Sequence, residues 1–161
     1  MSARSDVRQA SPARPLQSRS FWGAFLIGAA VMAAIDEIVF HQILAWHHFF
    51  DRSTPAIGLL SDGFLHAASL IALVAGFFLL ADARRRDTMA RPIVVAGLFV
   101  GLGGFQLFDG MIDHKVLRVH QVRYGVELLP YDLAWIGAGV VLLAVGIVLT
   151  VRAARLVPAR G

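Results

Sequence analysis

Residues 36–48 read DEIVFHQILAWHH and close an apolar run, FWGAFLIGAAVMAAI, that occupies residues 21–35. Together they form a stretch from Phe21 to about Leu44 that is long enough to cross a hydrocarbon core, for which about 20 residues at about 1.5 Å each suffice. Small residues fill the first two-thirds of it (Gly23, Gly28, Ala29, Ala30, Ala33, Ala34) and allow close helix contact in lipid. Ionisable groups enter only in the last third. The same order returns at residues 109–121, DGMIDHKVLRVHQ, so that Asp36, His41 and His47 match Asp109, His114 and His120 at one constant offset. Gly28 matches Gly101 and Leu44 matches Leu117 at that offset, and DGFLHAASLIALVAG from Asp62 resembles DLAWIGAGVVLLAVG from Asp132 after a small change of register. These echoes point to an internal duplication of a two-helix unit, and membrane folds built from repeats commonly place their site at the repeat interface.

Working outward, residues 1–20 carry Arg4, Arg8, Arg14 and Arg19 among Ser, Ala, Pro and Gln and are expected to be a disordered cytoplasmic tail. Further spans are expected at about 59–81, 92–114 and 131–151, making a four-span domain over residues 21–153, with 154–161 a second cytoplasmic tail. The first apolar run is too long for a signal-peptide core and lacks a small-residue cleavage site, so it is read as retained. The composition agrees: 57% of the 161 residues are hydrophobic, and the mean hydropathy is +0.66. The fold class is therefore an all-α integral membrane protein, a four-helix bundle built from two parallel two-helix repeats.

The arginines set the topology. Most lie in the N-terminal tail, in the loop containing Arg84, Arg85, Arg86 and Arg91, and in the C-terminal tail with Arg152, Arg155 and Arg160. All three should be cytoplasmic, which gives a multi-pass protein with both termini inside, its outer face being periplasmic if the cell is a two-membrane bacterium. The net charge of +4 then reflects topology, and nucleic acid is excluded as a partner. This orientation places the six histidines and nearly all the intramembrane carboxylates in one slab at the outer face.

Carboxylates within a span cost on the order of 2.5–3.5 kcal/mol each at mid-membrane on insertion scales, which marks them as functional-site candidates. A cation offsets such charge, and a metal ion does so well. The absence of cysteine removes thiolate zinc sites and iron–sulfur clusters, and four scattered methionines do not make a thioether site for Cu(I). The ligand candidates are His41, His47, His66, His114 and His120. Asp36, Asp62, Asp109, Asp113, Asp132 and His48 are expected as supporting or alternative ligands, with His48 the most expendable. Residues five apart on a regular helix differ by about 140° and about 7.5 Å, so Asp36 and His41 should not ligate one ion together. The expected division has histidines on the ion and aspartates holding their other ring nitrogens, with His47 and His120 folding back from the ends of the spans. Asp62 and His66, four apart on one helical face, could act as a pair. Imidazole suits copper, zinc, iron or nickel.

Three other readings stay open. His41 and His114 could hold a b-type haem between axial imidazoles and carry electrons. The whole set could be a hydrogen-bonded Asp/His cap with a purely structural role. Transport would need a polar route through the inner half, where Gln106 is the obvious polar group. Whether the protein is an enzyme is left undecided, although an open position on a metal would acidify a bound water.

DEIVFHQILAWHH, DGFLH, DHKVLRVHQVR and YDLAW resemble the bacterial predicted-membrane-protein family known as domain of unknown function 2243, over roughly residues 20–150. The resemblance implies a four-span protein whose hallmark positions match Asp36, His41, Trp46, His47, His48, Asp62, His66, Asp109, His114, His120 and Asp132. Members often look like DGI at the first motif and DHH with HH at the third, where this chain has Glu37, Lys115 and Gln121. This implies that Glu37 is not a ligand and that the second histidine of each later pair is dispensable. The chain also resembles proteins encoded near oxidase-assembly factors, which places copper ahead of zinc and iron. Expected partners are the lipid bilayer, a periplasmic or membrane metalloprotein, and a second copy of the chain.

Overall fold

The computed structural model describes residues 14–156. They form a short 3-10 turn (Pro15–Gln17), helix α1 (Arg19–Ile35), a first π segment (Asp36–Ile43), helix α2 (Pro55–Arg85), helix α3 (Arg91–Leu107), a second π segment (Phe108–Leu117) and helix α4 (Leu128–Leu156). Four continuous helical stretches, Arg19–Ile43, Pro55–Arg85, Arg91–Leu117 and Leu128–Leu156, are long and apolar enough to cross a membrane. The second and fourth are longer at both ends than hydropathy alone suggests. Thr54 caps α2 by accepting from the Ile57 amide and Pro55 opens it, while Asp82 gathers Arg19, Arg85 and Arg86 at its far end. Of the expected N-terminal tail, residues 1–13 lie outside the described residues, and 14–20 make the turn and the start of α1, capped by Ser18. In the expected C-terminal tail, 154–156 complete α4 and 157–161 lie outside the described residues.

The two central helices are α1 and α3, which run side by side; α2 packs on α1, and α4 packs on α3. The central pair meets through glycine. A Cβ on Gly28 would lie 2.2 Å from the Leu98 carbonyl oxygen and 3.0 Å from the Leu102 nitrogen, and one on Gly101 would lie 2.1 Å from the Phe25 oxygen and 2.8 Å from the Ala29 nitrogen. The contact is reciprocal, each glycine receiving the equivalent backbone of the other helix, and any side chain there would force the helices apart.

The outer helices use a narrow stripe. Asp62, Ser69, Gly76 and Ala83 recur every seven residues on the buried side of α2, and Gly139, Gly146 and Ala153 do the same on α4, continuing from Asp132. Seven residues are close to two helical turns, so each stripe keeps one seam against its neighbour. The remaining faces carry exposed Leu, Ile, Val and Phe, as suits lipid, which is as apolar as leucine. The two π segments and the loops after them gather at one end of the molecule, opposite the Arg19, Arg85 and Arg86 cluster around Asp82.

Candidate metal centre

In both central helices the α-helix gives way to π geometry where the ionisable residues begin. Hydrogen bonding from residue i to i+5 brings together side chains that a regular helix would separate. His41 Nε2 lies 3.5 Å from Asp36 Oδ2, His114 Nε2 lies 3.2 Å from Asp109 Oδ2, and Gln42 donates to Glu37 at 2.9 Å. The five-residue spacing is thus a pairing. The expectation that Asp36 and His41 diverge holds only for an α-helix.

Each π segment ends in a residue with left-handed backbone, Ala45 (φ 47°) after the first and Arg118 (φ 52°) at the end of the second. Neither is glycine, so both carry the strain of a side chain in a region that L-residues avoid. These turns fold the chain back, and two residues later His47 and His120 lie over the helix ends. Their rings stack at 4.7 Å and 5°. His47 Nδ1 donates to the Val122 carbonyl at 2.8 Å and His120 Nδ1 donates to the Phe49 carbonyl at 2.9 Å, so each is tied to the other's loop.

Four imidazoles meet here. His41 and His47 are 4.4 Å apart between ring centroids and His114 and His120 are 4.5 Å apart, while the crossed pairs His41–His120 and His47–His114 stand at 6.0 and 6.1 Å. All four are buried, as are Asp36, Asp109 and Asp113. His41 donates its Nδ1 proton to Asp62 at 2.9 Å. Hence His41, His47 and His120 each spend Nδ1 on an outward hydrogen bond, which turns Nε2 toward the others. Holding one imidazole nitrogen on a carboxylate or carbonyl fixes the tautomer that ligates through the other. Burial, and then the neighbouring imidazoles of His41, His120 and His114, push His47 down to about 2, so it stays neutral as a ligand must be.

Several buried atoms here have no hydrogen-bond partner: Asp36 Oδ2, Glu37 Oε2, His41 Nε2, His47 Nε2 and His114 Nδ1. Orphaned buried polar atoms cost about 1–3 kcal/mol each, more if charged. Three groups of buried side chains bring potential ligand atoms within 4.8 Å of one another: His41, His47 and His120; Asp109, His114 and His120; and Glu37, His41 and Asp62.

The remaining residues sort by distance from this centre. Asp62 is a hub on α2, accepting from His41, from His48 Nδ1 at 2.6 Å and from the Phe49 amide at 2.7 Å. His48 lies outside the imidazole group but holds Asp62. Asp113 is buried in electrostatic reach of Asp109, His120 and Asp36. Asp132 pairs with Lys115 and has no hydrogen bond to an imidazole. His66 is exposed on α2 beside a cavity of about 450 Å³ that Glu37, Gln42, Leu59 and Gly63 also line; it does not join the buried group.

Sequence reasoning set Glu37 aside as a ligand and passed over Trp135. Glu37 Oε2 is 3.0 Å from His41 Nδ1, competing with Asp62 for one proton. The Trp135 indole donates to Asp109 Oδ2 at 2.9 Å. Its signal is its place in YDLAW, three residues after Asp132 on the helix beside the second π segment. A family model described as "Predicted membrane protein (DUF2243)" matches residues 23–153. Comparisons with curated proteins and with solved structures find no match.

Proposed function

The chain belongs to the family of predicted membrane proteins called DUF2243, and on that footing we propose that it binds a transition metal in the membrane through the His41, His47, His114 and His120 group. The observation that carries this reading is the convergence of imidazole nitrogens, three of the rings fixed from behind by Asp62 and two backbone carbonyls, on a buried spot edged by Asp36 and Asp109. A hydrogen-bonded cap would not leave His47 Nε2 and His114 Nδ1 without partners. A set rich in nitrogen and free of sulfur follows the general affinity order of divalent metals, which puts copper first, with zinc and iron behind it.

The role is to handle that metal for another protein or to use it in redox chemistry. The haem alternative gains no support, because His41 and His114 each have another imidazole within 4.5 Å between centroids, where a macrocycle would have to lie. The arginine-rich end is assigned to the cytoplasm and the site to the outer face of a bacterial inner membrane. We read the reciprocal Gly28 and Gly101 contacts, the two π segments and the paired left-handed exits as the products of an internal duplication.

Elemental analysis with an absorption spectrum, on protein purified in mild detergent without chelators, tests the reading. Copper, zinc or iron near stoichiometry and no Soret band is the expected result; a Soret band, or no metal even after loading, would overturn it. The chain lacks cysteine, so one placed at the exposed Ser53 reports the orientation by labelling from outside intact spheroplasts.

A further inference from the structure

The donor atoms at this centre come from both halves of the chain, and each half supplies a carboxylate, a histidine five residues on and a second histidine six beyond that. Resting on the metal-binding reading above, we propose that the centre takes two transition-metal ions side by side, one held by Asp36, His41 and His47 and the other by Asp109, His114 and His120. The stacked His47 and His120 form the wall between them.

The second position is the more closely assembled. His114 Nε2 and His120 Nε2 are 2.8 Å apart, and Asp109 lies 3.2 Å from the first through Oδ2 and 3.4 Å from the second through Oδ1. A tetrahedral ion with bonds of about 2.0–2.1 Å has ligands about 3.3 Å from one another, so these three side chains already stand at about the spacing of such a site. At the first position Asp36 Oδ2, His41 Nε2 and His47 Nε2 all lack a hydrogen-bond partner, and Asp36 and His41 stand 3.5 Å apart. The ligand triads His41–His47–His120 and Asp109–His114–His120 share only His120. An ion held by Asp109, His114 and His120 would leave His41 and His47 without a cation, and Asp36 stands beside His41 on that side.

Charge points the same way. Asp36, Glu37, Asp62, Asp109 and Asp113 are buried together, and among the described residues none of their ion pairs is to lysine or arginine. Carboxylates come from both halves of the chain, so a cation in each half would offset them where they lie.

The test loads the full-length protein in detergent with Cu(II) and, separately, with Zn(II), removes loose ions by dialysis, and measures metal per chain together with the copper spin intensity by EPR. The expected result is two ions per chain with either metal, and a copper spin intensity well below the copper content because adjacent Cu(II) ions couple. Asp109→Asn combined with His114→Gln should lower the count to one and restore full spin intensity; size-exclusion chromatography shows whether that variant is folded. One ion per chain in the unaltered protein overturns the proposal and leaves the metal-binding reading standing. Two coppers with full, uncoupled spin intensity also overturn it, since the positions would not be adjacent. No metal of either kind removes the metal-binding reading and this proposal with it.

Discussion

The stretch from Asp36 to His48 and the stretch from Asp109 to Gln121 follow the same backbone course but are held by different side chains. In the first, Asp62 is buried and takes hydrogen bonds from His41, His48 and the Phe49 amide. In the second, the corresponding Asp132 is half-buried and taken up by Lys115, and His114 Nδ1 has no partner. The second half is braced instead through its carboxylate, by the Trp135 indole on Asp109. Glu37 has no counterpart either: at Gly110 even a Cβ would lie 2.9 Å from Trp135 Cδ1. Backbone symmetry therefore brings the imidazoles together, and the anchors behind them differ in strength and chemistry.

The largest expected effect is one that treats the halves alike. Gly28→Val and Gly101→Val each drive a side chain into backbone of the facing central helix, where relief requires helix movement. Overpacking costs about 1–3 kcal/mol where side chains can give and more where they cannot. Both variants should lose monodisperse protein in detergent, as size-exclusion chromatography would show; a variant at one position that survives while its counterpart fails would break the symmetry. Next come Asp62→Asn and Asp132→Asn. Loss of a carboxylate behind a ligating histidine costs about 10–100-fold in metal affinity, so competition with a chelator should show a loss of that size for Asp62→Asn and little change for Asp132→Asn. Equal losses would mean that Asp132 supports the site by a route other than His114.

Much of the fold was legible in the sequence because a membrane span is written in hydropathy: four apolar stretches correspond to four helices. The two carboxylate–histidine echoes were legible as well, since polar groups are rare in such company. The pairing of Asp36 with His41 was hidden behind a regular-helix rule, because the change to π geometry leaves no compositional mark. Ala45 and Arg118 hid the turn-back for a related reason, as the left-handed backbone is usually signalled by glycine. His66 was grouped with Asp62 by its one-turn spacing, but α2 buries only a seam with a seven-residue repeat, too narrow to include His66.

Trp135→Phe is the next weaker test. It keeps the ring and removes the indole donor from Asp109; hydrogen bonds to charged groups are worth about 1.5–3 kcal/mol. The bound ion would itself take over part of the carboxylate's charge. The expected result is a lower thermal midpoint for the metal-free protein, measured by tryptophan-independent circular dichroism, and a smaller drop once metal is loaded. An equal drop in both states would mean that the indole acts by packing alone.

The smallest expected effect belongs to His66. Its ring lies on the exposed side of α2, beside the cavity edged by Glu37, and His41, His47 and His120 have their outward hydrogen bonds without it. His66→Ala should therefore leave metal content and chelator competition unchanged within about twofold, while His41→Ala, from the ring that Asp62 holds, should lose metal. The contrast is informative because both residues contact the surroundings of Glu37. Should His66→Ala slow metal uptake without changing the amount bound, the cavity would be the route by which the ion reaches the first half, a route that Trp135 closes in the second. A loss of bound metal would instead require α2 to turn on metal binding and bring His66 inward, and the narrow Asp62–Ser69–Gly76–Ala83 seam would have to be broken to allow it.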